Sequence, residues 1–258
     1  MIENKYIDVS LHKEILRIGI NRPRKKNALT AKMYNTLRLT LLNARENPDV
    51  RVVLLHGTTD AFCAGNDLKE FDDRDPNTSS PAEKFLIVLQ AFNKPIIAAV
   101  SGIAVGVGVT MLLHCDLVYA TQNTQFQLSF INLGVCPEAG SSLLLPANAG
   151  LKKAAEVLML GNFFDTTKAT NLGIINRAVE TKNVLDYALK KAEELTEKSQ
   201  QALLIIKKLI KQGNQQDVIE RMSLESKLFG ELLLTPESID ARAKLKKRIQ
   251  KSKNLDLS

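Results

Sequence analysis

The chain has 258 residues, of which 45% are hydrophobic and 24% are charged. These values are ordinary for one large folded domain, and they exclude disordered and fibrous proteins. The formal net charge of +7 suits an anionic ligand, but the absence of Trp and an aromatic content of only 5% disfavour a nucleic-acid-binding protein.

Short apolar runs bounded by turn residues alternate with longer segments whose apolar residues have helical spacing. Thr30 is placed to cap the first predicted helix. Repeated alternation of strands and helices predicts an α/β fold. In chain order we predict a hairpin at residues 6–10 and 15–20, a helix at 30–46, a strand at 52–56, a helix at 82–92, a strand at 96–100, a helix ending near 113, and central strands at 117–120 and 124–128.

The pattern becomes mainly helical after residue 150. A separate boundary near residue 195, where the sheet core gives way to a helical extension, divides the chain into a β/α core at residues 1–195 and a C-terminal helical region at 196–258, without a flexible linker between them. Inside the core, the charged stretch at residues 72–80 predicts a mobile loop. The later predicted elements are helices at 152–160, 166–172, 184–198, 200–213 and 218–233, with a short strand at 174–179.

Three widely spaced cysteines, Cys63, Cys115 and Cys136, include no CxxC pair. This odd number predicts neither a disulfide framework nor a zinc site, and we expect no metal. No stretch has the pattern of a secretory signal, and no apolar run reaches the length of a membrane span. We therefore expect a cytoplasmic protein without a membrane span.

Glu138 lies in a loop of small residues, at positions 134–142, between two apolar segments. A solvated loop glutamate is one interpretation, because most Glu side chains are exposed. In the functional interpretation, Glu138 is the only acid of a site. One carboxylate can move a proton between two carbons, whereas adding water to a double bond usually needs two positioned acid/base groups.

Two glycine-bearing turns, at residues 63–67 and 102–108, each follow a predicted strand. Such turns can expose two backbone N–H groups to an oxyanion, although glycine equally suits close packing of a helix on a strand. The glycine spacing matches neither the dinucleotide-binding fingerprint nor the P-loop. No Gly-x-Ser-x-Gly sequence or catalytic triad is present. NAD, ATP and serine-hydrolase chemistry are therefore disfavoured.

Five motifs occur in a defined order along the chain. They are Asn21-Arg22-Pro23 with Asn27-Ala28, Phe62-Cys63-Ala64-Gly65-Asn66-Asp67-Leu68, Gly102-Ile103-Ala104-Val105-Gly106, the segment at 133–137, and Gly173-Ile174-Ile175. Together they resemble the crotonase superfamily, the enoyl-CoA hydratase and isomerase family, from the hairpin to the C-terminal helices. The resemblance implies a spiral β/α core, an acyl-CoA substrate, and a helical C-terminal region that supports a homotrimer or hexamer.

In this family two backbone N–H groups bind the thioester carbonyl and stabilise an enolate. By resemblance these groups belong to Asn66 and Val107. Hydratases of the family carry two glutamates at the positions of Thr110 and Phe130, and neither of these side chains can act as an acid or base near neutral pH. The turn around Asn66 and the Pro137-Glu138 pair instead resemble peroxisomal-type 3,2-enoyl-CoA isomerases, in which one glutamate moves the proton.

The resemblance thus implies an isomerase of fatty-acid β-oxidation that needs no cofactor besides the CoA of its substrate. Glu138 would carry a proton from C2 to C4. A hydratase or another crotonase-type reaction is the alternative within enzymes, and a non-catalytic acyl-CoA-binding protein is the alternative outside them. After Glu138, Ala139-Gly140 replaces the family's usual Gly and small residue.

The resemblance also implies residues that bind the substrate. The basic loop, Arg24-Lys25-Lys26, is a candidate for binding the CoA phosphates, or else a solvated loop with excess charge. Asp67 is expected to hold its turn in shape, whereas His114 and Cys115 are expected in the core. The substrate-binding positions are Arg24 and Lys25 for the phosphates, Ala64 and Leu68 for adenine or pantetheine, and Gly65, Asp67 and Gly106 in the two turns.

Overall fold

The computed structural model describes residues 4–71, 78–180, 183–213 and 215–255. Most of the loop predicted at residues 72–80 lies outside the described residues. Within the described ranges, the α/β fold with a helical C-terminal region is confirmed.

The strands of the described residues form two sheets. In the main sheet the order is β1-β2-β3-β4-β6-β9, and in the smaller sheet it is β5-β7-β8, for the strands β1 (Ile7–His12), β2 (Ile15–Ile20), β3 (Val52–His56), β4 (Ile96–Val100), β5 (Ile103–Val105), β6 (Leu117–Thr121), β7 (Gln125–Gln127), β8 (Phe163–Phe164) and β9 (Arg177–Val179). The predicted hairpin β1-β2 is antiparallel, and the other pairs of the main sheet are parallel. The central position predicted for residues 124–128 is wrong, because β7 pairs with β5 and β8 in the smaller sheet.

The central strands of the main sheet are buried on both faces. Along β3, Val53 and Leu55 face a large cluster that includes side chains of the first helices, whereas Val52 and Leu54 face a second cluster formed with the helix at Val184–Thr196. A parallel strand covered on both faces has no polar side, which explains why its sequence is a continuous apolar run.

The helices surround this sheet, and the first of them begins at the N-cap that the sequence predicts. The side chain of Thr30 accepts a hydrogen bond from the N–H of Met33 at 3.3 Å, which confirms the predicted N-cap. In chain order the helices are α1 (Ala31–Glu46), α2 (Pro81–Gln90), α3 (Val107–Thr110), α4 (Ser141–Ala149), α5 (Leu151–Leu160), α6 (Thr166–Asn171), α7 (Val184–Thr196), α8 (Gln200–Gln212), α9 (Gln215–Leu233) and α10 (Pro236–Leu255).

Two helices form where the sequence predicts none. α4 contains Pro146 in its interior, and proline there removes a backbone hydrogen bond and normally ends a helix. α10 begins at Pro236, since proline fits the first turn, and its many charged residues give it no clear apolar stripe. Of the strand predicted at 174–179, only β9 pairs with the sheet.

The C-terminal helices contact the core through both polar and apolar side chains. The ammonium of Lys207 on α8 is buried and lies 2.6 Å from a carboxylate oxygen of Asp116. On α9, the buried side chains of Val218, Met222 and Phe229 belong to the large apolar cluster. Helix α9 therefore covers one side of the loop that contains Glu138. No helix within the described ranges is both long enough and apolar enough to span a membrane.

Candidate active site

The two glycine-bearing turns pack directly against each other. Cys63 and Ala104 form a parallel bridge, and the N–H of Val105 donates to the Cys63 carbonyl at 2.9 Å. A Cβ added at Gly108 would lie 2.3 Å from the same carbonyl, and one at Gly65 would lie 3.1 Å from the Val105 carbonyl. Glycine is therefore required for the close approach of the turns, and this approach also brings their backbone N–H groups to one place.

The two N–H groups predicted to bind an oxyanion are both available. Leu29 bonds to the Gly65 carbonyl at 2.9 Å and to the Asp67 N–H at 2.8 Å, so the N–H of Asn66 points to the opposite side, as in a parallel ladder. Val107 is the first residue of α3, where an N–H has no partner within the helix. Among the described residues, neither N–H donates a hydrogen bond to the protein.

Tyr34 lies beside the Asn66 turn. Its place in the sequence does not identify it as a residue of the site. Its hydroxyl donates a hydrogen bond to Oδ1 of Asn66. The side chain projects from α1 and is 2% exposed, with its ring centroid 5.8 Å from that of Phe85. In the sequence Tyr34 has only the spacing of a core residue, so nothing marks it as part of a site.

Glu138 lies close to this turn although it is distant in sequence. Burial raises the pKa of Tyr34 well above its ordinary value, and the Glu138 carboxylate raises it further. Burial likewise raises the pKa of the Cys63 thiol to about 12, and the same carboxylate adds to that effect. Oε1 of Glu138 is itself buried. Glu138 is therefore not a solvated loop residue but belongs to the site of the two turns.

The backbone of the Glu138 loop is held from both sides. Nε2 of His114 lies 2.8 Å from the Ala139 carbonyl, and because a carbonyl only accepts, the imidazole donates. Burial lowers the pKa of His114 to about 4, so the ring is neutral near pH 7. His114 is buried, as predicted, whereas Cys115 is only half-buried. Ala139 itself has φ +62°, a left-handed conformation that explains why glycine suits this position.

Glu225 on α9 supports the same loop from the other side. Its Oε2 accepts from the Gly140 N–H at 2.6 Å, and its Oε1 accepts from the Ser142 N–H at 2.9 Å. The side chain is 4% exposed. Burial raises the pKa of Glu225, while the hydrogen bonds from Ser142 and Gly140 act in the opposite direction. A buried acid thus caps the start of α4, directly after Glu138.

A small cavity of about 20 Å³ adjoins Glu138. It contains a second carboxylate, that of Glu83 on α2, which differs from the expectation that Glu138 is the only acid of the site. Neither the spacing nor a motif of the sequence indicates Glu83. The lining residues are Ser80, Glu83, Leu86, Glu138, Ala139, Met222, Ser226 and Phe229.

Asp67 and the basic loop lie next to the first turn. Burial opposes ionisation of Asp67, but hydrogen bonds from Arg22 and from the Lys69 N–H keep its pKa below the ordinary value. The Arg22 guanidinium lies 2.7 Å from Oδ2 of Asp67. This contact agrees with the expected role of Asp67 in shaping the turn.

The remaining predicted substrate positions surround the same two turns. The Ala64 N–H donates to the Lys26 carbonyl at 3.0 Å, which places the basic loop against the turn. Arg24 and Lys25 are exposed in a short 3-10 helix, Pro23–Lys25. Leu68 is half-buried, and the Gly106 N–H donates to the Gln127 carbonyl at 2.8 Å. That these residues bind CoA stays a prediction.

Comparison with known proteins identifies the family of the chain. The model of the family described as enoyl-CoA hydratase/isomerase matches residues 10–248. The chain belongs to this family. In sequence it is 31% identical over 231 residues to the 2,3-dehydroadipyl-CoA hydratase of Escherichia coli K12, a match that covers 89% of this chain and 91% of the relative.

Enoyl-CoA delta isomerase 2 of Rattus norvegicus is 38% identical over 180 residues, which cover 67% of this chain and 46% of that protein. Among solved structures of similar fold is Pseudomonas aeruginosa OdaA, with a TM-score of 0.91, 38% identity and coverage of 94% of this chain and 99% of that chain. Relatives with both hydratase and isomerase names match the chain, so the comparisons identify the enoyl-CoA hydratase/isomerase family and not one reaction.

Thr110 and Phe130, the positions at which the resemblance leads us to expect the hydratase glutamates, are part of the core. Thr110 is fully buried in α3, and Phe130 is 4% exposed. Neither side chain offers a carboxylate to a substrate. Carboxylates near the Glu138 loop include those of Glu138 and Glu83, and that of Glu225, both oxygens of which bind backbone N–H groups.

Proposed function

We propose that this protein is an enoyl-CoA isomerase that converts 3-enoyl-CoA into trans-2-enoyl-CoA during fatty-acid β-oxidation. The observation that carries the proposal is the position of Glu138, whose carboxylate acts electrostatically on Tyr34 and Cys63 beside the Asn66 turn. The buried Thr110 and Phe130 leave the usual hydratase acids without a counterpart.

The reaction would proceed through an enolate held by the two turns. The thioester oxygen accepts hydrogen bonds from the N–H groups of Asn66 and Val107, and each such donor contributes about 2.7–4 kcal/mol to transition-state stabilisation. Ionised Glu138 removes a proton from C2, and the electrons move into a dienolate. Protonated Glu138 then gives the same proton to C4. Atoms and charge balance without water or a cofactor.

The surroundings suit an acyl-CoA substrate in an oligomeric enzyme. Arg24 and Lys25 place positive charge beside the first turn, where the CoA phosphates would lie. A homotrimer or hexamer would cover apolar side chains that are exposed in the single chain, because such groups favour burial between subunits. These side chains include Leu151, Met159, Leu160 and Phe163, and on α8 Ile206, Leu209 and Ile210. A cytoplasmic location stays a prediction.

The proposal is tested by incubating the purified protein with 3-hexenoyl-CoA and measuring formation of trans-2-hexenoyl-CoA. Glu138→Gln, which keeps the shape of the side chain but removes the base, should lower kcat by at least about a hundredfold. Glu231→Gln changes an exposed glutamate of α9 and is the matched control. Full isomerase activity in Glu138→Gln, or none in the unaltered protein, would refute the mechanism.

Hydration is a second candidate because Glu83 lines the same cavity as Glu138. Two carboxylates could activate a water molecule and protonate the α-carbon, as addition of water requires. The discriminating substrate is trans-2-hexenoyl-CoA, with 3-hydroxyhexanoyl-CoA as the product. Hydration that is lost in Glu83→Gln while isomerisation persists would show two distinct activities. Hexanoyl-CoA binding without either product would favour a non-catalytic acyl-CoA-binding protein.

A further inference from the structure

Asn66 is held at three points around its backbone N–H group. The peptide that carries this N–H also contains the Gly65 carbonyl, which accepts from Leu29 at 2.9 Å. The next residue, Asp67, is tied to Leu29 through its backbone and to Arg22 through its side chain. The third contact is the hydrogen bond from Tyr34 to the Asn66 side chain.

We propose that Tyr34 is a positioning residue that directs the Asn66 N–H toward the substrate's thioester oxygen, an inference that rests on the proposed oxyanion role of Asn66. Gly65 precedes Asn66 with φ +94°, and as a glycine it has the widest range of accessible backbone conformations in the turn. The Tyr34 hydroxyl limits rotation of Asn66 itself. Donors must already point at the place where charge develops if they are to stabilise it without reorganisation.

The environment of Tyr34 suits a fixed donor and not a proton carrier. The phenol is buried against Phe85, and α1 holds it in the large apolar cluster. Burial, followed by the nearby Glu138 carboxylate, raises the pKa of Tyr34 well above its ordinary value, so its hydroxyl is protonated near neutral pH. Removing the hydroxyl should therefore leave the pH profile of kcat unchanged.

The test uses Tyr34→Phe and two CoA thioesters. Acetoacetyl-CoA can bind as its enolate, which has an ultraviolet absorption that the keto form lacks, whereas hexanoyl-CoA reports only ground-state binding. We expect Tyr34→Phe to lower kcat and the enolate signal by roughly tenfold to a hundredfold, with hexanoyl-CoA affinity changed by less than about twofold. Tyr119→Phe is the matched control, because Tyr119 is a buried tyrosine of the second apolar cluster.

Asn66→Ala provides a second variant, since it removes the acceptor while keeping the backbone N–H. If Tyr34 acts through Asn66, the double variant should lose no more activity than the more damaging single variant. Additive losses would overturn the inference, and so would full kcat and enolate signal in Tyr34→Phe. Equal losses of enolate and hexanoyl-CoA binding would also overturn it, because they would indicate a general structural role.

Different results would overturn the positioning role of Tyr34 and the proposed isomerase reaction. If the unaltered protein forms the acetoacetyl-CoA enolate without isomerising 3-hexenoyl-CoA, and Tyr34→Phe loses the enolate, the isomerase proposal fails while the role of Tyr34 stands. Hexanoyl-CoA binding without any enolate signal in the unaltered protein would overturn the oxyanion site and the role of Tyr34 together. If Tyr34→Phe does not fold, Asn66→Ala alone must reproduce the selective loss of the enolate signal.

Discussion

The carboxylate of Glu225 accepts the N–H of Gly140 at 2.6 Å, so an acid on α9 holds the loop that presents Glu138. Its other oxygen accepts the N–H of Ser142 at 2.9 Å. The C-terminal helical region therefore does more than cover the core, since its Glu225 holds the backbone directly after Glu138, the proposed base.

Replacing Glu225 with Gln should weaken both stability and catalysis. The amide can accept from one of the two N–H groups, but its NH2 group then faces the other donor, and a buried unsatisfied donor costs about 1–3 kcal/mol. We expect a loss of that size in the free energy of unfolding measured in urea, with a fall in kcat larger than the change in KM. Unchanged stability and kcat in Glu225→Gln, with Glu231→Gln as the exposed control, would contradict this role.

His114 should make the stability of the protein depend on pH. Its pKa is about 4 in the folded protein, because burial disfavours the charged ring, against an ordinary value of 6.5 in the unfolded chain. Between these values the unfolded state binds the proton more tightly, so stability is complete above pH 6.5 and falls as pH decreases toward 4. From pH 7 to pH 5 the expected loss is about 2 kcal/mol.

The measurement is urea unfolding of the unaltered protein and of His114→Gln at several pH values. Glutamine keeps an N–H donor near the Ala139 carbonyl but does not titrate. The difference in unfolding free energy between the two proteins should therefore shrink or reverse as pH falls through this window. A difference that is constant with pH would show that the pKa of His114 does not change on unfolding.

Gly108→Ala should separate the two glycine-bearing turns. The added Cβ would lie 2.3 Å from the Cys63 carbonyl, and since that atom is backbone, the turns themselves must move. Overpacking of this kind costs about 1–3 kcal/mol, and a displacement on the order of 1 Å at a reacting group can lower the rate about a hundredfold. Gly213→Ala is the control, because a Cβ there meets nothing within 4 Å. Turnover by Gly108→Ala equal to that of the control would refute the tight contact.

The central strands β3 and β4 were easier to predict than helices α4 and α10 for a physical reason. The bounds of β3 and β4 agree with the predicted ranges, because strands buried on both faces need continuous apolar runs that stand out in a sequence. α4 and α10 depend on tertiary contacts instead. Glu225 on α9 caps the start of α4, and the Ser238 hydroxyl of α10 donates to the Leu133 carbonyl at 2.8 Å.

The residues of the site also differ in how well the sequence predicts them. Asn66, Val107 and Glu138 lie in recognisable motifs, and the structure brings their turns and loop together. The supporting residues carry no local signal, because Tyr34 is 32 positions from Asn66 and Glu225 is 85 positions from Gly140. Such pairs become visible only when the fold brings separate elements into contact.

The basic loop can be tested separately from the chemistry. If Arg24 and Lys25 bind the CoA phosphates, replacing both with Gln should raise KM for 3-hexenoyl-CoA by roughly tenfold and leave kcat nearly unchanged, because phosphate contacts bind the substrate and its transition state equally. The effect should diminish as salt is added, since exposed charges are screened. Lys190→Gln, which removes an exposed charge on α7, is the control.

A truncated substrate tests whether the basic loop acts through the CoA phosphates. The N-acetylcysteamine thioester of 3-hexenoic acid keeps the reacting carbons and the thioester but lacks every phosphate. The double Arg24→Gln, Lys25→Gln variant should process it as well as the unaltered protein does, because nothing that contacts the loop remains in the substrate. An equal loss with both thioesters would mean that the loop supports the Ala64 turn through the Lys26 carbonyl and does not bind CoA.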